Sequence, residues 1–177
     1  MENISRQLTK DNIDETISQY LDLLKTVPIN IQTDNVFGLL HKIKREKMST
    51  GPYPNVSLFE AANRMMTDLT ILYGIRSLLT KNIFDFEFDN YLVEFGNESF
   101  NKHDIISEKD GFSLFGEAFN VAESFFQTKK SSSLKKLRKS KTEKDIILII
   151  YNSDAIKKNY LPKSIKNEFH LSIKIDL

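Results

Sequence analysis

Residues 145–151 read DIILIIY, and this run constrains the fold more than any other feature of the chain. A strand with one face in solvent alternates apolar and polar residues, whereas a strand covered on both faces is apolar throughout. The run therefore predicts a central strand in a sheet that carries helices on both faces. A fold of this α/β class needs helical segments elsewhere in the chain, and the sequence provides them.

The residues before this run predict a hairpin and a basic helix. Residues 103–108 and 112–121 have strand patterns, and Lys109, Asp110 and Gly111 between them form a hairpin turn of the Asp-Gly type. Residues 124–139 follow as a helix, in which the serines at 131–133 either cause an interruption or cap a second half. Residues 103–152 thus predict strand, turn, strand, helix and strand in that order.

The N-terminal third is predicted to be helical. Apolar residues spaced three and four apart predict an amphipathic helix over residues 9–27, and a weaker helix covers 33–47. After a loop, a long helix begins at Ser57, in a capping-box pattern with Glu60, and runs to about Leu79. Its predicted inner stripe contains Leu58, Ala62, Met65, Leu69 and Leu72, and its outer side contains Glu60, Asn63, Arg64, Thr67 and Asp68.

Three further segments complete the predicted elements. Residues 83–95 alternate phenylalanine with acidic residues and then become apolar, which predicts one strand or two. Residues 164–167 predict a short helix after Pro162, and residues 170–176 alternate again as a last strand. No internal repeat interrupts this order.

Length and composition favour one compact domain. A chain of 177 residues can bury a sizeable core, and we expect a helical extension over residues 1–50 packed on an α/β core over residues 51–177. The chain has no cysteine, which excludes disulfides, thiolate zinc sites and cysteine nucleophiles. No apolar run approaches the roughly 20 residues that span a bilayer, and the N-terminus lacks a signal-peptide core, so the expected location is cytoplasmic with no membrane partner.

The net charge of +1 hides a local concentration of basic residues. Residues 129–144 contain eight lysines and arginines against Glu143 alone. Such a face can bind a nucleic-acid backbone by neutralising phosphates, and its alternative is a solvated helix surface. The residues predicted to bind nucleic acid are Lys129, Lys130, Lys135, Lys136, Arg138 and Lys139.

The order of elements carries a family resemblance. Residues 57–151 are predicted as helix, three strands, helix and strand, with Asp104 on the second strand and Glu117 on the third. This pattern resembles the PD-(D/E)xK nuclease superfamily, which includes many restriction endonucleases. The resemblance implies a restriction endonuclease-like core, in which a mixed sheet is flanked by helices, here with an N-terminal helical extension.

In that superfamily the aspartate and the glutamate bind magnesium, so the resemblance implies that Asp104 and Glu117 hold Mg²⁺. Physical chemistry supports the same pairing, because two carboxylates on neighbouring strands repel each other unless a cation lies between them. The Asp-Gly hairpin places Asp104 opposite a residue near Glu117. The alternative for Glu117 is a solvent-facing residue, or one paired with Lys109 or a lysine of the basic helix.

The chain departs from the family pattern at the lysine. That residue should stand two positions after Glu117, where this chain has Phe119. The resemblance therefore implies that Lys129 or Lys130, on the following helix, orients or activates the attacking water.

Two other residues near the predicted site have open roles. Glu60 is a further metal candidate, because some family members use a helix glutamate there, and its alternative is the capping box. His103 replaces the family's proline and should point to the face opposite Asp104, because successive strand residues alternate.

These features predict a magnesium-dependent endonuclease that hydrolyses DNA phosphodiester bonds. Family members of this size often act as dimers, because cutting two strands takes two sites, so the resemblance implies a homodimer or a partner subunit. Two alternatives stay open: a catalytically inactive nuclease-like domain that binds nucleic acid or serves as a partner subunit, and a protein-interaction module whose lysines only keep it soluble. The sequence has no Gly-rich phosphate loop, His-Glu-x-x-His motif or Gly-x-Ser-x-Gly elbow.

Overall fold

The computed structural model describes residues 1, 3–81, 83–96, 98–139 and 141–175. Its helices are α1 (Ile13–Lys25), α2 (Val36–Arg45), α3 (Leu58–Thr80) and α4 (Glu123–Arg138), with a short 3-10 helix at Ser153–Ala155. Its strands are β1 (Gln7–Thr9), β2 (Asn90–Val93), β3 (Ile105–Lys109), β4 (Phe112–Phe119), β5 (Ile146–Asn152) and β6 (Glu168–Ile173).

The six strands form one sheet in the order β1 to β6. Neighbouring strands are antiparallel from β1 to β4, and β5 and β6 then run parallel to β4. Every residue of β5 is buried, which confirms the central strand predicted from the apolar run. The chain is therefore an α/β protein with a mixed sheet, as predicted.

Helices cover the two faces of the sheet unequally. Helices α1 and α3 lie on one face, where Gly74 allows α3 to approach β5 so closely that a β-carbon there would lie 2.6 Å from Ile150 Cδ1. Helix α4 lies on the other face and packs on β4 and β5. On that face Leu92 of β2 is 40% exposed. The sheet surface beside α4 is therefore partly open.

The hairpin is confirmed. Asp110 and Gly111 connect Lys109 to Phe112, and both have positive φ angles, of 52° and 78°. Positive φ at both central residues is the type I′ geometry that matches the twist of the two strands. Helix α4 is also confirmed, and it continues through the three serines without a break.

Three predicted elements are wrong in detail. Residues 83–88 do not form a strand, because Phe84 and Phe86 pack against Phe169 of β6, at ring-centroid distances of 4.9 and 4.8 Å, rather than pairing with a neighbouring strand. Residues 164–167 form a bridge and a turn instead of a helix. The predicted N-terminal extension also contributes β1 to the sheet, and its Leu8 is completely buried.

The prediction that Asp68 lies on the outer side of α3 is wrong, because it is completely buried. Its Oδ2 accepts hydrogen bonds from the hydroxyls of Tyr20, at 2.5 Å, and Tyr53, while its Oδ1 accepts from Gly96 N–H at 3.1 Å. We call these four residues the Asp68 clasp. It joins α1, α3, the loop before α3 and the chain just after β2, from which the segment leading to the candidate site departs.

Burial, opposed by the hydrogen bonds from Tyr20 and Tyr53, raises the pKa of Asp68 from 3.8 to about 6. The Asp68 carboxyl group therefore binds a proton more tightly in the folded protein than in the unfolded chain. The resulting stabilisation of the fold is complete below the pKa that Asp68 has in the unfolded chain, and it is lost as the pH rises through about 6. We expect the stability advantage of the wild type over Asp68→Asn to fall by up to about 3 kcal/mol between about pH 4 and pH 7.

Urea unfolding of both proteins across that pH range measures this difference. The other titrating groups are common to the two proteins and cancel in the comparison. Parallel stability curves for wild type and Asp68→Asn would contradict the raised pKa.

Candidate active site

The strand register brings Asp104 and Glu117 together. Ile105 pairs with Gly116, and Asp104 Oδ2 accepts a hydrogen bond from Ala118 N–H at 3.0 Å. These two contacts place Asp104 beside the part of β4 that contains Glu117. Glu117 lies between Phe115 and Phe119, on the face covered by α4. The two acidic residues predicted from sequence therefore converge beside α4, although Asp104 stands just before β3 rather than within it.

Lys136 of α4 lies beside Glu117. Its Nζ lies 2.6 Å from Glu117 Oε1, and Glu117 itself is only 5% exposed. Lys129 stands two helical turns earlier, on the same side of the helix. A pair between Glu117 and a lysine of the basic helix was the alternative expected from sequence, and the structure shows this pair. Lys136 itself was predicted by number only for nucleic-acid binding.

The pKa of Asp104 is affected by the charges of Glu117, Lys136 and Lys129. Burial raises the pKa of Asp104 to about 6, and the negative charge of Glu117 contributes in the same direction. A hydrogen bond of 3.0 Å from Ala118 N–H to Oδ2 and the charges of Lys136 and Lys129 oppose this rise. Asp104 therefore lies within electrostatic reach of one carboxylate and two lysines.

Phe119, two residues after Glu117, lies in the apolar layer under α4. The Phe119 ring is 2% exposed and packs against Phe126 and Tyr151, with centroids 6.1 and 6.0 Å away. A lysine there would have to lie in the apolar layer under α4. The amine beside Glu117 belongs to Lys136 of α4.

The predicted orientation of His103 is wrong. Its Nδ1 lies 3.0 Å from Glu117 Oε1, and its ring packs against Phe115 with centroids 5.4 Å apart. Residues 101–104 form a bend that precedes β3. The alternation of a strand therefore does not extend back to His103, which joins the face of Glu117.

Glu94 is an acidic residue that the sequence interpretation missed. Val93 pairs with Ile105, and the N–H of Glu94 donates to Asp104 O at 2.9 Å, so Glu94, Asp104 and Glu117 lie in one row across three chain segments. The Glu94 carboxylate accepts a hydrogen bond from Asn101 N–H. This hydrogen bond fixes the segment that contains His103 and Asp104. In the sequence, Glu94 is noticeable only as a single acidic residue within the apolar stretch YLVEF.

The structure does not bring Glu60 into a metal site. Ser57 Oγ accepts from Glu60 N–H at 3.2 Å, and the Glu60 side chain forms an ion pair with Arg64. Within the described ranges of the chain, no group of three or more His, Cys, Asp or Glu side chains is arranged to hold a metal. The expectation of Glu60 as a third ligand is therefore not supported, and the candidate site has two carboxylates.

Two of the predicted nucleic-acid-binding residues have partners within the chain. Lys130 Nζ donates to Tyr160 Oη at 3.0 Å. Arg138 forms a bidentate ion pair with Glu168, with N–O distances of 2.8 to 3.0 Å. Lys130 is thus directed at Tyr160 rather than at Glu117. Lys135 and Lys139 are exposed.

The donor set fits a magnesium ion. Magnesium usually keeps several waters and binds proteins through one or two carboxylates. Asp104 Oδ2 accepts a hydrogen bond from Ala118 N–H, and Glu117 Oε1 contacts His103 and Lys136. Each carboxylate also has a second oxygen, and carboxylate oxygens are the ligands that magnesium prefers.

The chain has no significant match among protein-family models, curated proteins or solved structures. Over the part of the chain that the structure describes, no helix combines the length and apolarity needed to cross a bilayer. The assignment of a function therefore depends on the geometry of the site.

Proposed function

We propose that this chain is a magnesium-dependent endonuclease that hydrolyses DNA phosphodiester bonds. The observation that carries the proposal is the convergence of Asp104 and Glu117 from neighbouring segments of the sheet, with Lys136 Nζ 2.6 Å from Glu117. Two carboxylates can hold the metal ion of a metal-assisted phosphodiester hydrolysis, and a neighbouring amine can donate to the attacking water or to the phosphate.

The topology supports a restriction endonuclease-like core as part of the proposal. In chain order, α3, β2, β3, β4, α4 and β5 are helix, three antiparallel strands, helix and a strand parallel to β4. This is the order expected for the PD-(D/E)xK superfamily. The two carboxylates also lie on the segments expected from that resemblance.

Each residue of the site has a proposed task. Asp104 and Glu117 would hold the ion, which when bound supplies a Lewis acid for the phosphate and a more acidic water. Lys136 donates hydrogen bonds and orients the attacking water. Lys129, on the same side of α4, offsets the phosphate charge. The other exposed lysines of α4 extend the cationic surface along the DNA.

The proposal extends to assembly and location. Cleavage of both DNA strands takes two sites, so we propose a homodimer or a partner subunit. We also propose a cytoplasmic location.

A second candidate function is a catalytically inactive domain that binds nucleic acid. The contacts of Glu117 favour it, because Lys136 and His103 already satisfy one oxygen of this buried carboxylate. The negative charge is thereby compensated without any metal. Such a domain would keep salt-sensitive affinity for DNA and would not cut it.

Replacement of Lys136 by methionine tests the enzymatic proposal. Methionine keeps most of the side-chain length and removes the amine, so we expect kcat for plasmid cleavage in Mg²⁺ to fall about 100-fold. The measurement is the conversion of supercoiled plasmid to open-circular and linear forms, with EDTA as the metal-free control.

Lys157→Met is the matched control, because Lys157 is 82% exposed and lies 3.9 Å from Glu123, outside the site. It should cleave as the wild type does. Wild-type protein that binds DNA without cutting it would support the inactive domain instead. Equal cleavage by wild type and Lys136→Met would remove Lys136 from the mechanism.

A further inference from the structure

His103 is a buried polar residue with one hydrogen-bonded nitrogen and one that has no partner. Its side chain is 1% exposed, and Nδ1 lies 3.0 Å from Glu117 Oε1. Its other ring nitrogen, Nε2, is buried and finds no hydrogen-bond partner among the described residues. The ring also packs against Phe115. Packing alone would be served equally well by a phenylalanine, so the imidazole needs another explanation.

The contacts of Glu117 indicate that His103 is the hydrogen-bond donor. Glu117 Oε1 also receives the Lys136 ammonium, so it acts as an acceptor and Nδ1 must carry the proton that lies between them. Nδ1–H therefore donates to Glu117 Oε1.

This hydrogen bond restrains the carboxylate of Glu117. Oε1 is held from two sides, by His103 on the segment before β3 and by Lys136 on α4. Two donors on separate elements limit rotation of the carboxylate, so that Oε2 has a defined direction. A ligand carboxylate oriented in advance loses less entropy on binding a cation.

We propose that His103 is a positioning residue, whose Nδ1–H orients the Glu117 carboxylate for a divalent cation. This inference rests on the proposed function, because it takes Glu117 as a metal ligand. Outer hydrogen-bond partners of metal ligands typically change metal affinity by about 10- to 100-fold when they are replaced. His103 is assigned no contact with the metal or the substrate.

Three variants of His103 separate its hydrogen bond from its packing. Asparagine places its amide N–H near the position of Nδ1, whereas glutamine places it near the position of Nε2. Phenylalanine keeps the ring and has no donor. Mn²⁺ alone is titrated into each full-length protein by calorimetry at constant pH, without DNA, and thermal unfolding of each protein is followed in parallel.

We expect His103→Asn to bind Mn²⁺ within about threefold of the wild type, and His103→Phe and His103→Gln to bind about 10- to 100-fold more weakly. Unchanged affinity in His103→Phe would overturn the positioning role while leaving the proposed function intact. A wild type that binds no Mn²⁺ would overturn both.

A second measurement does not depend on the variants folding. The ¹⁵N spectrum of the His103 ring in the wild type should show a protonated Nδ1. An unprotonated Nδ1 would overturn the inference.

Discussion

Replacing Glu117 with glutamine is expected to reduce magnesium-dependent DNA cleavage by at least about 1,000-fold, because a metal ion contributes several kcal/mol of transition-state stabilisation. Glutamine has almost the same shape as glutamate but carries no negative charge. It would therefore weaken the hold on a cation shared with Asp104. It would also leave Lys136 without the carboxylate that lies 2.6 Å from its Nζ. The measurement is the single-turnover cleavage rate of plasmid DNA over a range of Mg²⁺ concentrations.

Glu123→Gln is the matched control. Glu123 begins α4, its side chain is 57% exposed, and it lies outside the site. The same charge is removed, so an effect of net charge on DNA binding would appear in both variants, while an effect on catalysis would appear only in Glu117→Gln. Cleavage by Glu117→Gln at the wild-type rate, in a protein that unfolds at the wild-type temperature, would show that Glu117 holds no catalytic metal.

Replacing Gly96 with alanine is expected to destabilise the fold by about 2–5 kcal/mol. Gly96 has a φ of +59°, where a β-carbon costs about 1–2 kcal/mol. That β-carbon would also overlap the ring of Tyr53. Tyr53 would have to move away from Asp68, and the Asp68 clasp would lose one of its hydroxyl donors. A buried acceptor that loses its partner adds about 1–3 kcal/mol.

Gly111→Ala separates the backbone effect from the steric one. Gly111 also has a positive φ, of 78°, but a β-carbon there would meet no atom within 4 Å. We expect a loss of only about 1–2 kcal/mol for Gly111→Ala. Thermal unfolding should show a decrease of roughly 10 °C for Gly96→Ala and roughly 4 °C for Gly111→Ala. Equal decreases would mean that Tyr53 accommodates the added carbon without leaving Asp68.

Several elements were predictable because their signals are local. The apolar run at 145–151 required a strand covered on both faces, and β5 is completely buried. The Asp-Gly pair required a two-residue turn, and Asp110 and Gly111 have the positive φ angles of that turn. Once the hairpin was placed, its register followed, and with it the approach of Asp104 to Glu117. Each of these inferences depends on chain geometry over a few residues.

Other features depended on contacts between distant residues. Phe84 and Phe86 pack against Phe169, some 80 positions later in the chain, and this contact replaced the strand expected there. Asp68 had the spacing of an outer helix residue, but Tyr20 and Tyr53 provide donors that make its burial acceptable. Periodicity describes one element at a time and contains no information about such partners.

The sequence by itself determined the class of the fold, the hairpin, the basic helix and the two carboxylates, because period, turn chemistry and charge are properties of neighbouring residues. Only the tertiary structure decided that Lys136 rather than Lys129 or Lys130 contacts Glu117, and that His103 faces Glu117. The rotation of α4 over β4 and the bend before β3 set these contacts. Both result from packing of the whole core, in which residues far apart in the chain compete for the same space.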